Sequence, residues 1–481
     1  FGVRPLPNLE AKFVAANTLI GLDKKDASLF DSDAIKTKEQ ELKIAKHKIF
    51  GAKTVKTKRK YRQQVNDLRQ DIADMLKESG AVGNEEAQQL ASWDMFDQNA
   101  FSPFFDSEWM FGVKEGFDIV IGNPPYGAKL SDGEKSLFRL IYQNKTSETA
   151  ILFIEKGLKL TNNKGVQSYI IPKAFTYSSN YECIREYIRP WLSIIVDCEK
   201  VFENVKLEAC IEMSVKHKVS KEYLNIHFDK NNFRTIGIID KSTKDIFGFY
   251  LNGVSSDAIK IATKMRKNSV SLGDISNNNR GEPLQQYISQ TGNISVIGGI
   301  NIDRYGIKDY KGYVSNRLLI DDKARIQENS VLCQNIVAHI TKPYPHIKLI
   351  GCILSDTDSL IIDTVNQIII KKEYSNKYIW AILNSKLICW YVYLFIYAKA
   401  IRTMHFDSVS TNRIPIVLKN VTIIEKLVDS IITAKREDRN ADTTVDEQEI
   451  DRLVYHLYGL TYDDVLIVDP ETPITREEYN K

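Results

Sequence analysis

Residues 117–217 alternate short apolar runs with stretches of helical spacing, and this alternation restricts the fold more than any other feature of the chain. FDIVIG (117–122) is branched and apolar, as expected of a strand buried on both faces of a parallel sheet. ETAILFIEKGLKL (148–160) repeats apolar residues at helical intervals, and NNKG (162–165) predicts its end with Gly165 as the C-cap. GVQSYIIP (165–172), LSIIVDCE (192–199) and ACIEMSVKH (209–217) read as further strands, and 181–187 as a helix stopped near Pro190. Strand, helix, strand, helix, strand predicts a parallel α/β sheet, whose active sites gather at the carboxyl ends of the strands. The first of these strands runs there into Asn123, Pro124, Pro125 and Tyr126.

Two successive prolines fix the backbone, remove two amide donors and push the residue before each away from the helical region. The expected product is a stiff turn whose carbonyls project without internal partners. The Asn123 side-chain oxygen and the Pro124 carbonyl then offer two acceptors, and Tyr126 adds a flat amphipathic ring. That set suits a planar exocyclic amine, with one acceptor for each N–H and a ring to stack on. Drawing electron density toward the nitrogen frees its lone pair to take a sulfonium methyl by in-line displacement, with no protein nucleophile. A nucleobase would have to leave its duplex to present such an amine. The same residues also suit a plain strand-ending turn with Tyr126 capping the core.

At 481 residues the chain has room for two or three domains, and 43% hydrophobic with 26% charged residues is a globular composition. No run reaches 18 apolar residues, so no membrane span is expected. A net charge of +3 does not by itself point to nucleic acid. The six cysteines stand singly and the seven histidines lack HExxH spacing, so neither a metal site nor a disulfide framework is expected. With the cysteines unpaired in the sequence, a reducing, cytoplasmic setting is the default expectation. Residues 12–20 read as a short strand, and 33–80 as charged helix with a break at Gly51. Between Lys53 and Arg62 lie six Lys or Arg and no acid, either a solvated helical hairpin or a face that contacts phosphates. Past residue 265 come short strands, ISVIGG (294–299), KLIGCILS (348–355) and NQIIIKKE (366–373), one helical stretch over 374–396 and a helical tail from 422.

IGNPPY (121–126) resembles the catalytic motif of the gamma-class N6-adenine DNA methyltransferases, in particular the type IIG enzymes that join modification and restriction in one chain. The resemblance implies an α/β fold. An incomplete Rossmann-like methyltransferase sheet would occupy 1–265 with a helical insertion at about 31–92, then a mixed α/β target-recognition domain 266–435 and a helical tail 436–481. It implies catalytic roles for Asn123, Pro124, Pro125 and Tyr126, and S-adenosyl-L-methionine as cofactor. ANTLIG (16–21) resembles the strand end that holds the cofactor's adenine, here Asn17 and Thr18, and LFIEKGLKLTNNKG (152–165) the helix that sets an aromatic beside it, here Phe153. KVFENVKLEACI (200–211) resembles the segment whose aromatic, Phe202, packs with Tyr126 on a flipped base. YIWAILNSKLICWYVY (378–393) and SLGDISNNNRG (271–281) resemble the recognition domain that reads the major groove.

Candidate DNA contacts there are Arg280, Arg304, Lys342, His346, Arg402 and Arg413, with Trp390 and Tyr391 expected in the core. The implied partner is double-stranded DNA, bound by a monomer. The family's glycine-rich FxGxG loop and the acidic residue that holds the ribose do not precede Asn17. They are expected outside this chain, together with a nuclease and its Mg2+, which would leave an incomplete cofactor pocket. Two other readings stay open: a DNA-binding specificity module without activity, and a methyltransferase of protein glutamine amides, which uses a related NPPY.

Overall fold

A computed structural model describes residues 13–21, 33–80, 82–94, 96–97, 100–202, 207–315, 321–354, 358–400, 404–419 and 421–481. Arg402 lies outside the described residues. The chain divides into two compact units, Phe1–Pro172 with Asn180–Ser193 and Ile211–Ser220, and Lys173–Ser179 with Ile194–Cys210 and Lys221–Lys481. Both are mixed α/β.

In the first unit β1 (Ala15–Ala16) pairs in parallel with β2 (Phe101–Ser102). Among the described residues 13–20 of the expected strand, only these two are extended in a sheet, because Asn17 to Ile20 turn away from it. Helices α1 (Asp33–Phe50), α2 (Val55–Glu78) and α3 (Asn84–Ser92) are inserted between β1 and β2, and α4 (Ser107–Phe111) follows β2. The break falls at Gly51 to Thr54, whose hydroxyl accepts from the Thr57 amide and so starts α2. The insertion has its own core, in which Ile35, Leu42 and Ile49 pack with Val65, Leu68, Ile72 and Leu76. Arg69 is buried within it. Its guanidinium sits 4.9 Å from the Trp93 ring and 5.7 Å from the Trp109 ring, and donates to the Leu90 carbonyl at 2.8 Å. Burial lowers its pKa to about 10.

The sheet of this unit follows: β3 (Phe117–Gly122), α5 (Asp132–Ile141), α6 (Thr149–Leu160) and β4 (Thr161–Pro172). β3 and β4 are parallel, with Gly122 opposite Tyr169. Past β4 come α7 (Ala174–Tyr177), α8 (Glu182–Ile188), β5 (Leu192–Glu199) and β6 (Ala209–Val215), and β4 lies between β3 and β6. Two expectations need correction here. β3 is an edge strand and is not buried on both faces: Ile119 and Ile121, which share a face, are 68% and 77% exposed. Gly165 does not cap α6. The helix ends at Leu160 and the next strand begins at once, so Gly165 lies inside β4. A Cβ there would stand 2.7 Å from the Asp118 carbonyl, and close approach of β3, not helix termination, requires glycine.

Glu212 of β6 is fully buried opposite this strand. Its Oε1 accepts from the Ser214 hydroxyl, and its Oε2 lies 3.5 Å from Gln167 Nε2. Burial pushes the carboxyl up to about 8 against the opposing Ser214 bond, so it is neutral at pH 7. A carboxyl raised above its ordinary 4.5 favours the folded state below that value and loses this contribution as pH rises toward 8. The melting temperature should therefore fall between about pH 5 and pH 8 and level off above that, and Glu212→Gln should flatten that slope. Calorimetry showing the same slope in the variant would remove this carboxyl as its cause.

The second unit contains β5, β7 (Glu222–Phe228) and β8 (Phe233–Asp240), with β5 and β7 parallel and β7 and β8 an antiparallel hairpin. Farther along, Ser276–Arg280, Val365–Ile370, Ser330–Gln334 and Gly351–Cys352 form a four-stranded antiparallel sheet. The helical stretch expected as one piece over 374–396 is two helices, Asn376–Asn384 and Lys386–Phe395, bent by 66°. Ser385 makes the break: it leaves the helical region, and its hydroxyl caps the second helix by accepting from Ile388. Tyr391 is buried and Trp390 half-buried. Among the described residues no single helix is long and apolar enough to cross a membrane. Helices Val421–Glu437, Thr444–Leu457 and Tyr462–Val468 complete the unit.

Candidate active site

The edge strand β3 carries the chain to its carboxyl end and stops. At Gly122 the neighbouring Tyr169 ring would come within 3.2 Å of a Cβ, and at Gly157 of α6 its hydroxyl within 2.6 Å. Tyr169 is thus wedged between strand end and helix, and two glycines make room for it. The four residues that follow have unequal surroundings. Asn123 and Pro125 are exposed, Pro124 is buried and Tyr126 is half-buried. The Pro125 carbonyl accepts a 2.6 Å bond from the hydroxyl of Thr149, the first residue of α6. Asn123 and Pro124 have no hydrogen-bond partner among the described residues. One proline carbonyl ties the turn down, and the acceptors on either side of Pro124's ring stay open.

Thr149 and Phe153 stand four residues apart on one face of α6. Phe153 is half-buried against an apolar cluster of Leu19, Phe138, Tyr142 and Leu152, with Ile20 and Leu130 beside it. The Tyr142 hydroxyl donates to the Leu19 carbonyl at 2.7 Å, so α5, α6 and the segment after β1 converge. That segment is shaped by Asn17, whose amide donates to Ser102 and whose side-chain oxygen accepts from the Leu19 amide at 3.2 Å. The Asn17 side chain is therefore committed to the turn, while Thr18 is half-buried with no side-chain partner among the described residues. Half-buried Ile20 and Phe153 beside Thr18 fit one side of a flat heteroaromatic ring.

Glu155 holds the approach to α6. It accepts from the amides of Gln143 and Asn144, from the Asn144 side chain and from Lys159. Burial raises its pKa, but Lys159 and these amides outweigh that and hold it below the ordinary carboxylate range. Lys156, one turn after Phe153, was not singled out from sequence. Its ammonium is 3.8 Å from where a Cβ on Gly21 would be, and burial lowers its pKa. A lysine amid LFIEKG was the available signal.

The remaining candidates fall in the second unit. Phe202 is half-buried in the coil after β5. Arg280 is exposed but donates to the Asp363 carbonyl and lies 3.8 Å from its carboxylate. Arg304 is ion-paired to Glu447 at 2.7 Å and donates to the Asn384 carbonyl. Arg413 is half-buried, with its guanidinium donating to the Phe247 carbonyl and 5.4 Å from the Phe249 ring. His346 Nδ1 is 2.7 Å from the Tyr344 carbonyl oxygen, and Lys342 is exposed.

A parallel strand pair ending in an Asn-Pro-Pro-Tyr turn with unpartnered acceptors, beside a half-buried aromatic on α6, defines a mixed α/β domain with its candidate site at a strand end. Residues 33–202, which include that turn, match the sequence model of the Eco57I restriction-modification methylase family. The chain is 23% identical over 206 residues to the type II methyltransferase M.VspI of Vibrio sp. (strain 343), covering 41% of this chain and 50% of that protein. It is 27% identical over 387 residues to the putative type II restriction enzyme and methyltransferase RM.MjaORFECS2P of Methanocaldococcus jannaschii, covering 73% of this chain and 32% of that protein. Half or less of each relative's length is thus spanned. Among solved structures, the type IIL restriction-modification enzyme MmeI in complex with DNA aligns over 95% of this chain and 78% of its own, with 11% identity and a TM-score of 0.47.

Proposed function

We propose that the protein is the modification part of a restriction–modification system, transferring a methyl group to the N6 amine of an adenine extruded from double-stranded DNA. The observation that carries this reading is the pair of acceptors without a partner among the described residues, the Asn123 side-chain oxygen and the Pro124 carbonyl, on a turn stiffened by two prolines and tied by Thr149. These take the two N–H groups of the amine. Tyr126, half-buried, stacks on the base. S-adenosyl-L-methionine, when bound, supplies an electrophilic methyl. The residues present fit its adenine ring through Ile20, Phe153 and Thr18, with Asn17 shaping their turn. Catalysis is then positioning and fixed dipoles, with no covalent enzyme intermediate and no proton acceptor needed before the displacement.

The second unit supports sequence recognition in this reading, with residues 266–435 as the reader and 436–481 as its helical buttress. Lys342 and Arg402 are the groove-contact candidates. Arg304 and Arg413 serve that reader as internal ties, as their ion pair and carbonyl bonds indicate. Nucleoside analysis of DNA methylated by the native polypeptide that carries this sequence provides the test. N6-methyldeoxyadenosine is the expected product. Methylcytosine, or label incorporated only into protein, would refute the proposal.

A further inference from the structure

We infer that the outer face of α2 is a phosphate-contacting surface for duplex DNA, a reading that rests on the DNA substrate proposed above. The run Lys53 to Arg62 is divided by helix geometry. Lys58 and Arg62 are half-buried on the side of α2 that leads to Val65, Leu68 and Ile72, and the Arg62 guanidinium lies 5.2 Å from the Phe96 ring. Lys56, Arg59 and Lys60 project from the opposite side, and Lys53 precedes them in the linker. All four outward residues are exposed, and none of their side chains makes a hydrogen bond or ion pair among the described residues.

Solvated helical faces ordinarily intersperse both signs and form pairs three or four residues apart. Farther along α2 that is what occurs, with Gln63 bonded to Asp67, Gln70 to Asp74, and Lys38 of α1 to Asp71. The first two turns lack any acid, although acids there would stabilise the helix and cations oppose its dipole. Like charges held together at a local cost, on a rigid hairpin with its own apolar core, suit a polyanion with regularly spaced charges. With no side-chain partner among the described residues, they are free to contact phosphates, which carry no base-sequence information.

The experiment compares the full chain with Lys53→Gln/Lys56→Gln/Arg59→Gln/Lys60→Gln in binding a duplex without the recognition site, at several salt concentrations. The logarithm of affinity should fall less steeply with the logarithm of salt, the slope shrinking by about 3 if most of the four contact phosphates. The melting temperature should stay level or rise. Arginine at the three lysine positions should keep the original slope. A slope changed by less than about one contact's worth overturns the inference. So does loss of binding to single-stranded RNA alone, with the duplex slope intact. If the wild type binds and methylates DNA while the slope is unaffected, this surface fails and the methyltransferase reading stands. If the slope flattens but no methyl transfer occurs, the surface stands and that reading fails.

Discussion

Replacing Asn123 by alanine is expected to lower methyl transfer by about two to three orders of magnitude, the loss typical of one preorganised polar partner of a transition state. Affinity for DNA should change little. The side chain is exposed and holds nothing else in place, so its removal leaves neither a cavity nor an orphaned group. The turn itself should persist, because its rigidity comes from Pro124, Pro125 and the Thr149 bond. Single-turnover transfer of labelled methyl, measured beside fluorescence anisotropy for DNA, separates chemistry from binding. A variant that methylates at the wild-type rate would leave the turn as a strand-ending device and remove the amine-orienting role.

The second large effect concerns stability of the other unit. Lys173→Met should destabilise it by about 3–5 kcal/mol, because it leaves a carboxylate buried without its cation. Lys173 and Asp197 have side chains only 2% and 1% exposed, with the ammonium 3.0 Å from Asp197 and 3.5 Å from Glu208. Burial works against both charges. For Lys173 the two carboxylates outweigh it and raise the pKa above the ordinary 10.5; for Asp197, Lys173 and Lys399 hold it below 3.8. The signs set the pH window. Asp197 contributes stability above its unfolded pKa that is lost in acid, and Lys173 contributes stability below its unfolded pKa that is lost in strong base. The pair should therefore stabilise across the neutral range. Lys173→Met/Asp197→Leu should recover much of the loss, since apolar residues can replace a buried ion pair at little cost. Urea unfolding that shows no shift for the single variant would contradict this account.

Lys173 stands in IIPKAF, a stretch that reads from sequence only as strand and turn. Its partners are 24 and 35 residues away, so nothing local announces a buried ion pair. Glu212 is similar: within ACIEMSV it occupies a polar position of an alternating strand, and its complete burial depends on neighbours that the pattern does not specify. Arg304 and Arg413 show the converse, as basic residues in a loop-rich region that turn inward to Glu447 and Phe247.

What the residues determined by themselves was local. The strands at 117–122 and 192–199, the helix at 149–160, the break after Gly51 and the rigid diproline corner follow from spacing, branching and proline geometry, which act within a few residues. Only the tertiary structure decided which faces are covered and which polar groups find partners. It left Ile119 and Ile121 exposed on an edge strand, placed Gly165 within β4, broke the helical stretch at Ser385, and set Phe153 beside Leu19 and Ile20 while Asn123 stayed open. Periodicity states that a strand or helix has a side to bury. What buries it is supplied by residues distant in the chain, and that pairing is settled only when the whole unit packs.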